Sequence, residues 1–88
     1  MALTYEDMRQ YNRTMDLVVN RCKCINGIGE GLITLCYRRG LYRLDYLGRE
    51  LAAWKLYDVQ GVRDAFIKTD ACFDVLWETR RAGLMSMA

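Results

Sequence analysis

The residues of this chain that could do chemistry are four cysteines and several carboxylates, and the chain contains no histidine. Cysteine thiolates hold zinc most readily when they come in pairs spaced by two to four residues. Cys22 and Cys24 are separated by one residue, and Cys36 and Cys72 fall on other segments of the chain. We therefore predict no metal site and no cofactor, and we expect the four cysteines to be reduced thiols.

The chain also lacks the usual groups for acid–base and nucleophilic catalysis. Ser86 is the only serine, and a cysteine in a chain without histidine has no evident general base. Asp70 and Asp74 are one helical turn apart and could hold a metal ion through water, but with Glu78 on the same side they fit a solvated acidic edge better. The sequence therefore predicts a protein without catalytic residues, which is not an enzyme.

Length and charge restrict the class of protein. The 88 residues correspond to a single small domain, which we expect to span residues 1–88. Lys and Arg number 13 against 11 for Asp and Glu, a net charge of +2 that is far below the excess of a dedicated nucleic-acid-binding domain. The beginning of the chain does not resemble a secretory signal, and no segment reaches the roughly 20 apolar residues that span a bilayer. We expect a cytoplasmic protein that does not bind membranes.

The middle of the chain has the clearest pattern. Two short turns, Arg39-Gly40 and Gly48-Arg49, predict a three-stranded antiparallel meander over residues 32–57. With Arg39-Gly40 as a two-residue loop, Arg38 pairs with Leu41, and apolar and polar residues separate onto opposite faces. The face expected to be buried carries Ile33, Leu35, Tyr37, Tyr42, Leu44, Tyr46, Leu51 and Ala53.

The second turn determines which residues of the third strand lie on the outer face. A Gly48-Arg49 loop pairs Arg43 with Trp54 and places a cation over an indole. Trp54 is then partly exposed. Together with Leu41, Leu47 and Leu56 it would form an apolar patch, which a second copy of the chain could cover.

A helix is expected before the meander. Thr4 followed by Asp7 is typical of a helix start, and apolar residues then recur at intervals of three and four. This pattern predicts an amphipathic helix from about residue 5 to about residue 20. Residues 21–26 either continue the helix or form a further strand.

A second helix of about 23 residues is expected after the meander. Asp58 would cap its start and Gly83 its end, with a break at Thr69 if that residue caps a new helix. Ile67 and Trp77 lie at the flank of the apolar stripe, where they either extend the core or contact a partner. The order of elements therefore predicts an α+β fold: helix, three-stranded antiparallel meander, helix, with both helices packed on one face of the sheet.

This order resembles that of the double-stranded RNA-binding domain over nearly the whole chain. That family binds phosphates with a lysine cluster at the start of its second helix, whereas residues 58–64 here contain two acids, Asp58 and Asp64, and one base, Arg63. Because phosphate contacts dominate affinity for nucleic acids, this difference argues against RNA binding in that mode. A different mode would use Arg38, Arg39, Arg43, Arg49 and Lys55 interleaved with Tyr37, Tyr42 and Trp54.

The compact meander from Leu32 to Leu44 and the helix that follows Asp58 are also similar in style to short single-domain phage and mobile-element proteins, the anti-CRISPR proteins among them. That resemblance implies an inhibitor that binds a large host defence complex stoichiometrically, in the cytoplasm of a bacterial host. The net charge of +2 favours steric obstruction over imitation of DNA.

The sequence thus predicts a protein-binding module. A few aromatic and arginine side chains usually supply most of the energy of such contacts. The candidate partner-binding residues are Arg43, Trp54, Tyr57, Trp77, Arg38 and Arg39. A nucleic-acid-binding domain and a self-associating structural protein are the alternatives.

Overall fold

The computed structural model describes residues 2–28 and 32–86, with side chains as far as Gly83. The elements are α1 (Tyr5–Ile28), β1 (Ile33–Arg38), β2 (Leu41–Tyr46), β3 (Arg49–Lys55) and α2 (Val59–Ser86). The three strands are antiparallel in the order β1-β2-β3. The two helices pack against each other, α1 also contacts β1, and α2 contacts β3. The predicted α+β fold is confirmed.

Helix α1 starts as the sequence predicts and runs further. The Asp7 amide donates to Thr4 Oγ1 at 3.0 Å, and the Thr4 amide donates to Asp7 Oδ2 at 3.3 Å, which satisfies two amides of the first turn. Residues 21–26 are helical, because Cys22 and Ile25 continue the buried stripe of the preceding turns.

Helix α2 is continuous. Asp58 Oδ1 accepts a hydrogen bond from the Gly61 amide at 3.0 Å and caps the helix start as predicted. The alternative of a break at Thr69 does not occur, because Thr69 is fully buried and its hydroxyl donates to the Phe66 carbonyl inside the helix at 2.9 Å. The predicted end at Gly83 is wrong, since Gly83 lies within the helix.

The first hairpin is confirmed, with Arg38 opposite Leu41. The second hairpin turns at Leu47-Gly48 and pairs Tyr46 with Arg49, so the predicted Gly48-Arg49 loop is wrong. The reason is the turn type: both loops have positive φ at both central residues, 54° and 79° in the first and 53° and 76° in the second. This is the type I′ pattern, which places glycine second.

A one-residue bulge in β3 moves Trp54 to the opposite face of the sheet, whereas the corrected turn shifts the pairing by two residues and leaves the faces unchanged. The register shifts between Leu44 and Asp45, after which Tyr42 faces Trp54 and Arg43 faces Ala53. Trp54 is only 2% exposed, so its predicted place on the outer face, beneath Arg43, is wrong. Ala53, expected to be buried, is exposed instead. A shift of one residue exchanges the two faces of a strand.

Two polar contacts fix α1 against the sheet. The Trp54 indole nitrogen donates to the Tyr11 hydroxyl at 3.1 Å. At the other end of α1, the Asn26 side chain accepts from the Ile33 amide at 2.8 Å and donates to the Ile33 carbonyl at 3.1 Å. The Asn26 amide group therefore pairs with the edge strand β1 as a neighbouring strand would.

Candidate functional site

The outer face of the sheet carries a concave surface of about 660 Å³. We call it the arginine patch; it is lined by Cys36, Arg38, Arg39, Leu41, Arg43 and Asp45. These residues belong to β1, β2 and the turn between them, and alternation along the strands aims them away from the helices. The patch combines guanidinium groups with the exposed side chain of Leu41, which is 43% accessible.

The three arginines of the patch differ in their surroundings. Arg43 Nε donates to Asp45 Oδ1 at 2.8 Å and lies 3.8 Å from Glu50 Oε1. The hydrogen bond and the charge of Asp45 raise the pKa of Arg43 above its ordinary value. Arg38 and Arg39 form no ion pair with any residue that the structure describes. Arg43 is thus held in place, while Arg38 and Arg39 present charge that is not neutralised.

Tyr57 lies close to the same end of the sheet. The Leu56 amide donates to the Gly40 carbonyl at 3.0 Å, which places this segment beside the Arg39-Gly40 turn. The Tyr57 ring packs edge-on against Tyr11 with centroids 5.3 Å apart, and 36% of the residue is exposed. The Tyr57 backbone therefore lies near the Arg39-Gly40 turn, but its ring packs on the helix side and does not line the arginine patch.

Trp54 is a core residue. Its ring stacks on Tyr42 at a centroid distance of 5.6 Å and an interplanar angle of 12°, and its indole hydrogen bond is made internally. A side chain in this position cannot reach a partner protein. The apolar outer patch that the sequence predicted also loses Trp54, its largest member.

Trp77 lies apart from the arginine patch. Helix α2 begins beside Trp54, passes Tyr46 and Leu51 at the opposite end of the sheet, and reaches Trp77 only after that. The Trp77 ring stacks on Phe73 at 6.4 Å, and the residue is 49% exposed. The sequence left open whether Trp77 extends the core or contacts a partner. The structure allows both, because one face of the ring packs on Phe73 and about half of the residue is exposed.

Phe73, on which Trp77 stacks, is part of a cluster that includes Asp70, one of the residues that the sequence analysis placed on a solvated acidic edge. The Arg21 guanidinium lies 4.7 Å above the Phe73 ring and pairs with Asp70 at 2.9 Å. Asp70 therefore links α2 to α1. Ile67, the other residue at the flank of the stripe, is exposed.

Aromatic and basic side chains are not interleaved on one face. Tyr37, Tyr42 and Trp54 form a row on the inner face, with Tyr37 and Tyr42 4.5 Å apart. The patch arginines lie on the outer face. Bases of a single strand stack on aromatic rings set among cations, so this sheet lacks the platform that the alternative nucleic-acid mode requires.

The thiols of the helix interface are not activated. Burial, with a smaller contribution from Cys72, raises the pKa of Cys22 to about 11, and burial also raises the pKa of Cys72. A nucleophilic cysteine needs a lowered pKa. Among residues 2–28 and 32–86 no group of three His, Cys, Asp or Glu residues could hold a metal ion.

None of the described helices is long and apolar enough to cross a membrane. No protein-family model matches this chain, and no curated protein or solved structure matches it either. The assignment of the candidate site therefore rests on the geometry of this chain and not on a relative.

Sequence reasoning missed three features of the structure. The Asn26–Ile33 pairing has no sequence signal, because it joins the end of a helix to a strand edge. The Tyr11–Trp54 contact depended on the register. Glycine at the second position signalled both turns, Arg39-Gly40 and Leu47-Gly48, but no glycine signals the bulge that turns Trp54 inward.

Proposed function

We propose that this chain is a non-enzymatic protein-binding module that binds an acidic surface of a larger protein through the arginine patch. The observation that supports this most directly is a pair of cations beside the exposed Leu41: Arg38 and Arg39 form no ion pair with a described residue. Arginine with an adjoining apolar contact is typical of the residues that dominate binding energy. Arg43, held by Asp45, would contribute from a fixed position.

The narrower proposal is an inhibitor of a host defence complex of the CRISPR–Cas kind. The small size and the meander followed by a helix support it through the resemblance described above. A chain with a net charge of +2 does not imitate nucleic acid. Inhibition would come from occupying the nucleic-acid or effector site stoichiometrically, with the arginine patch docked on acidic residues near that site.

Nucleic-acid binding is the competing function, because Arg38 and Arg39 could also contact phosphates. The two functions differ in their response to salt. Affinity for nucleic acid falls steeply as salt rises, with a slope set by the number of phosphates contacted. A protein interface with an apolar centre loses mainly association rate under the same change.

The test begins with affinity capture from a nuclease-treated lysate of the natural host, followed by titration of the captured complex. The informative variant is Arg38→Glu with Arg39→Glu. Its matched control is Arg13→Glu with Lys23→Glu, which reverses two exposed cations of α1. We expect the wild type and the control to saturate one complex at a fixed molar ratio and to inhibit it fully there.

The patch variant should lose at least about tenfold in affinity, because two cations become anions facing an acidic surface. Equal binding by all three proteins would contradict the role of the patch. Binding to oligonucleotides with a steep salt dependence, and to no protein, would favour the nucleic-acid alternative.

A further inference from the structure

A second surface lies on the other side of the molecule from the arginine patch. It is a groove of about 390 Å³ between α2 and the sheet, lined by Tyr46, Leu51 and five residues of α2 between Lys68 and Leu76. Lys68 is the only charged residue among the described ones that line it. Val75 is 66% exposed there, and Leu47, next to Tyr46, is equally exposed. We call this surface the α2 groove.

We propose that the α2 groove binds a second copy of this chain, with the two α2 helices antiparallel across a two-fold axis. The proposal does not depend on the arginine patch or on the identity of its partner.

The spacing of residues along α2 defines one stripe beside the groove. Positions 64, 68, 71, 75, 78 and 82 alternate between intervals of four and three residues, which keeps them on one side of a helix that packs along another. Ala71 and Val75 lie at the centre of the stripe. Small side chains at the centre let two helix axes approach closely.

Charge along the stripe complements itself when the helices are antiparallel. With the axis between Ala71 and Val75, each of these residues faces the other in the second copy. Lys68 then faces Glu78 of the second copy, and the same pair recurs on the other side of the axis. Among the residues that the structure describes, Lys68 forms no ion pair with its own chain, and the one ion pair of Glu78 is with Arg81, at 3.9 Å in an exposed position. A parallel pair would instead place like charges together.

The shape of the molecule leaves enough surface for such an interface. Its extents are 56 × 25 × 15 Å and its radius of gyration is 14.9 Å, against about 12 Å for a compact chain of this length. The accessible area is 6327 Å², whereas a monomer of this mass exposes about 5,400 Å². The difference is close to the ~800 Å² that each partner buries in a standard interface.

Sedimentation equilibrium over micromolar to submillimolar concentrations tests the proposal by charge exchange. The variants are Lys68→Glu, Glu78→Lys and the double variant that carries both. Lys23→Glu, which reverses an exposed cation of α1, is the matched control. Circular dichroism confirms that each variant keeps its helices.

We expect a dimer for the wild type, the control and the double variant. Each single variant should weaken the dimer at least about tenfold, because both ion pairs become like-charge contacts. Restoration by the double exchange is expected when Lys68 of one copy faces Glu78 of the other. A wild type that stays monomeric, single variants that associate like the wild type, or a double variant as weak as the single ones would each overturn the proposal.

Discussion

Gly61 allows the first turn of α2 to pack directly on the core tryptophan. A Cβ at this position would lie 2.7 Å from the Trp54 Cβ and 2.5 Å from Asp58 Oδ2, closer than atoms in contact tolerate. Gly61→Ala should therefore lower the free energy of unfolding by about 1–2 kcal/mol, although alanine favours helix formation, because Trp54 and the Asp58 cap would be displaced. Urea denaturation measures the change.

Gly27→Ala is the matched control, since a Cβ at Gly27 meets nothing within 4 Å. Here the intrinsic preference of alanine for the helix should prevail and stabilise the protein by about 0.5 kcal/mol. The same direction of change in both variants would contradict the close contact at Gly61.

Because of Cys22, the free energy of unfolding should fall at alkaline pH. The Cys22 thiol titrates near 9.0 in the unfolded chain and at about 11 in the fold, so the folded state binds the proton more tightly. The contribution to stability is complete below pH 9 and is lost as the pH rises towards 11, to a total of roughly 2 kcal/mol. Urea denaturation at a series of pH values should show this decline.

Cys22→Ala should make the decline between pH 9 and 11 shallower, and the remainder comes from groups such as Cys72 and Tyr11, whose pKa values burial also raises. The variant also lowers stability at neutral pH by leaving a small cavity. The control is Cys24→Ala, which removes an exposed thiol. It should keep the wild-type pH dependence. A decline that persists unchanged in Cys22→Ala would show that other groups cause it.

At the scale of elements, the two hairpins determine what each face of the sheet presents. Leu47 occupies the first central position of its turn with φ 53°, a conformation that costs leucine about 1 kcal/mol and asparagine much less. Leu47 is exposed, so little burial is lost on substitution. Leu47→Asn should therefore raise the unfolding free energy by about 0.5–1 kcal/mol in thermal denaturation.

Leu32→Asn is the control for this gain. Leu32 is 64% exposed and is not among the residues with positive φ. It should show no stabilisation. A similar rise in both variants would mean that removing an exposed leucine, rather than relieving the turn, is the cause.

The elements themselves could be read from the sequence because their signals are local. Caps at Thr4 and Asp58, apolar spacing and the Arg39-Gly40 turn each involve neighbours in the chain. The β3 register could not be read in the same way, because a turn one residue earlier and a bulge beside Leu51 act together. The residue opposite Trp54 depended on both, whereas the face on which Trp54 lies depended on the bulge alone.

The candidate site was predictable to the same extent as the fold. The first hairpin, which the sequence predicts correctly, brings Arg38, Arg39 and Arg43 together. Trp54 does not join them, because the bulge in β3, which the sequence did not predict, turns it to the other face. The exposure of Trp77 depends on how far α2 extends past the sheet, which no local pattern reveals.

At the scale of the whole molecule, the two proposed surfaces are separate. The arginine patch lies on the outer face of the sheet, and the α2 groove lies along the helix at the other end. A dimer through α2 would leave both patches free and would present two of them to a partner. The affinity for a complex with two acidic sites would then be higher than that of a single copy, because the two copies are linked.

The small core makes the whole domain depend on its central residues. Leu44, at the centre of the sheet, is fully buried, whereas Leu41 on the same strand is 43% exposed on the outer face. Leu44→Ala should cost about 2–5 kcal/mol, a large part of the total stability of a domain of this size, roughly 4–13 kcal/mol. Leu41→Ala, the same change on the other face, should cost much less. Because Trp54 lies in the same core, tryptophan fluorescence and far-ultraviolet circular dichroism should report one coincident urea transition in each variant. Separate transitions would show that the helices and the sheet do not share a single core.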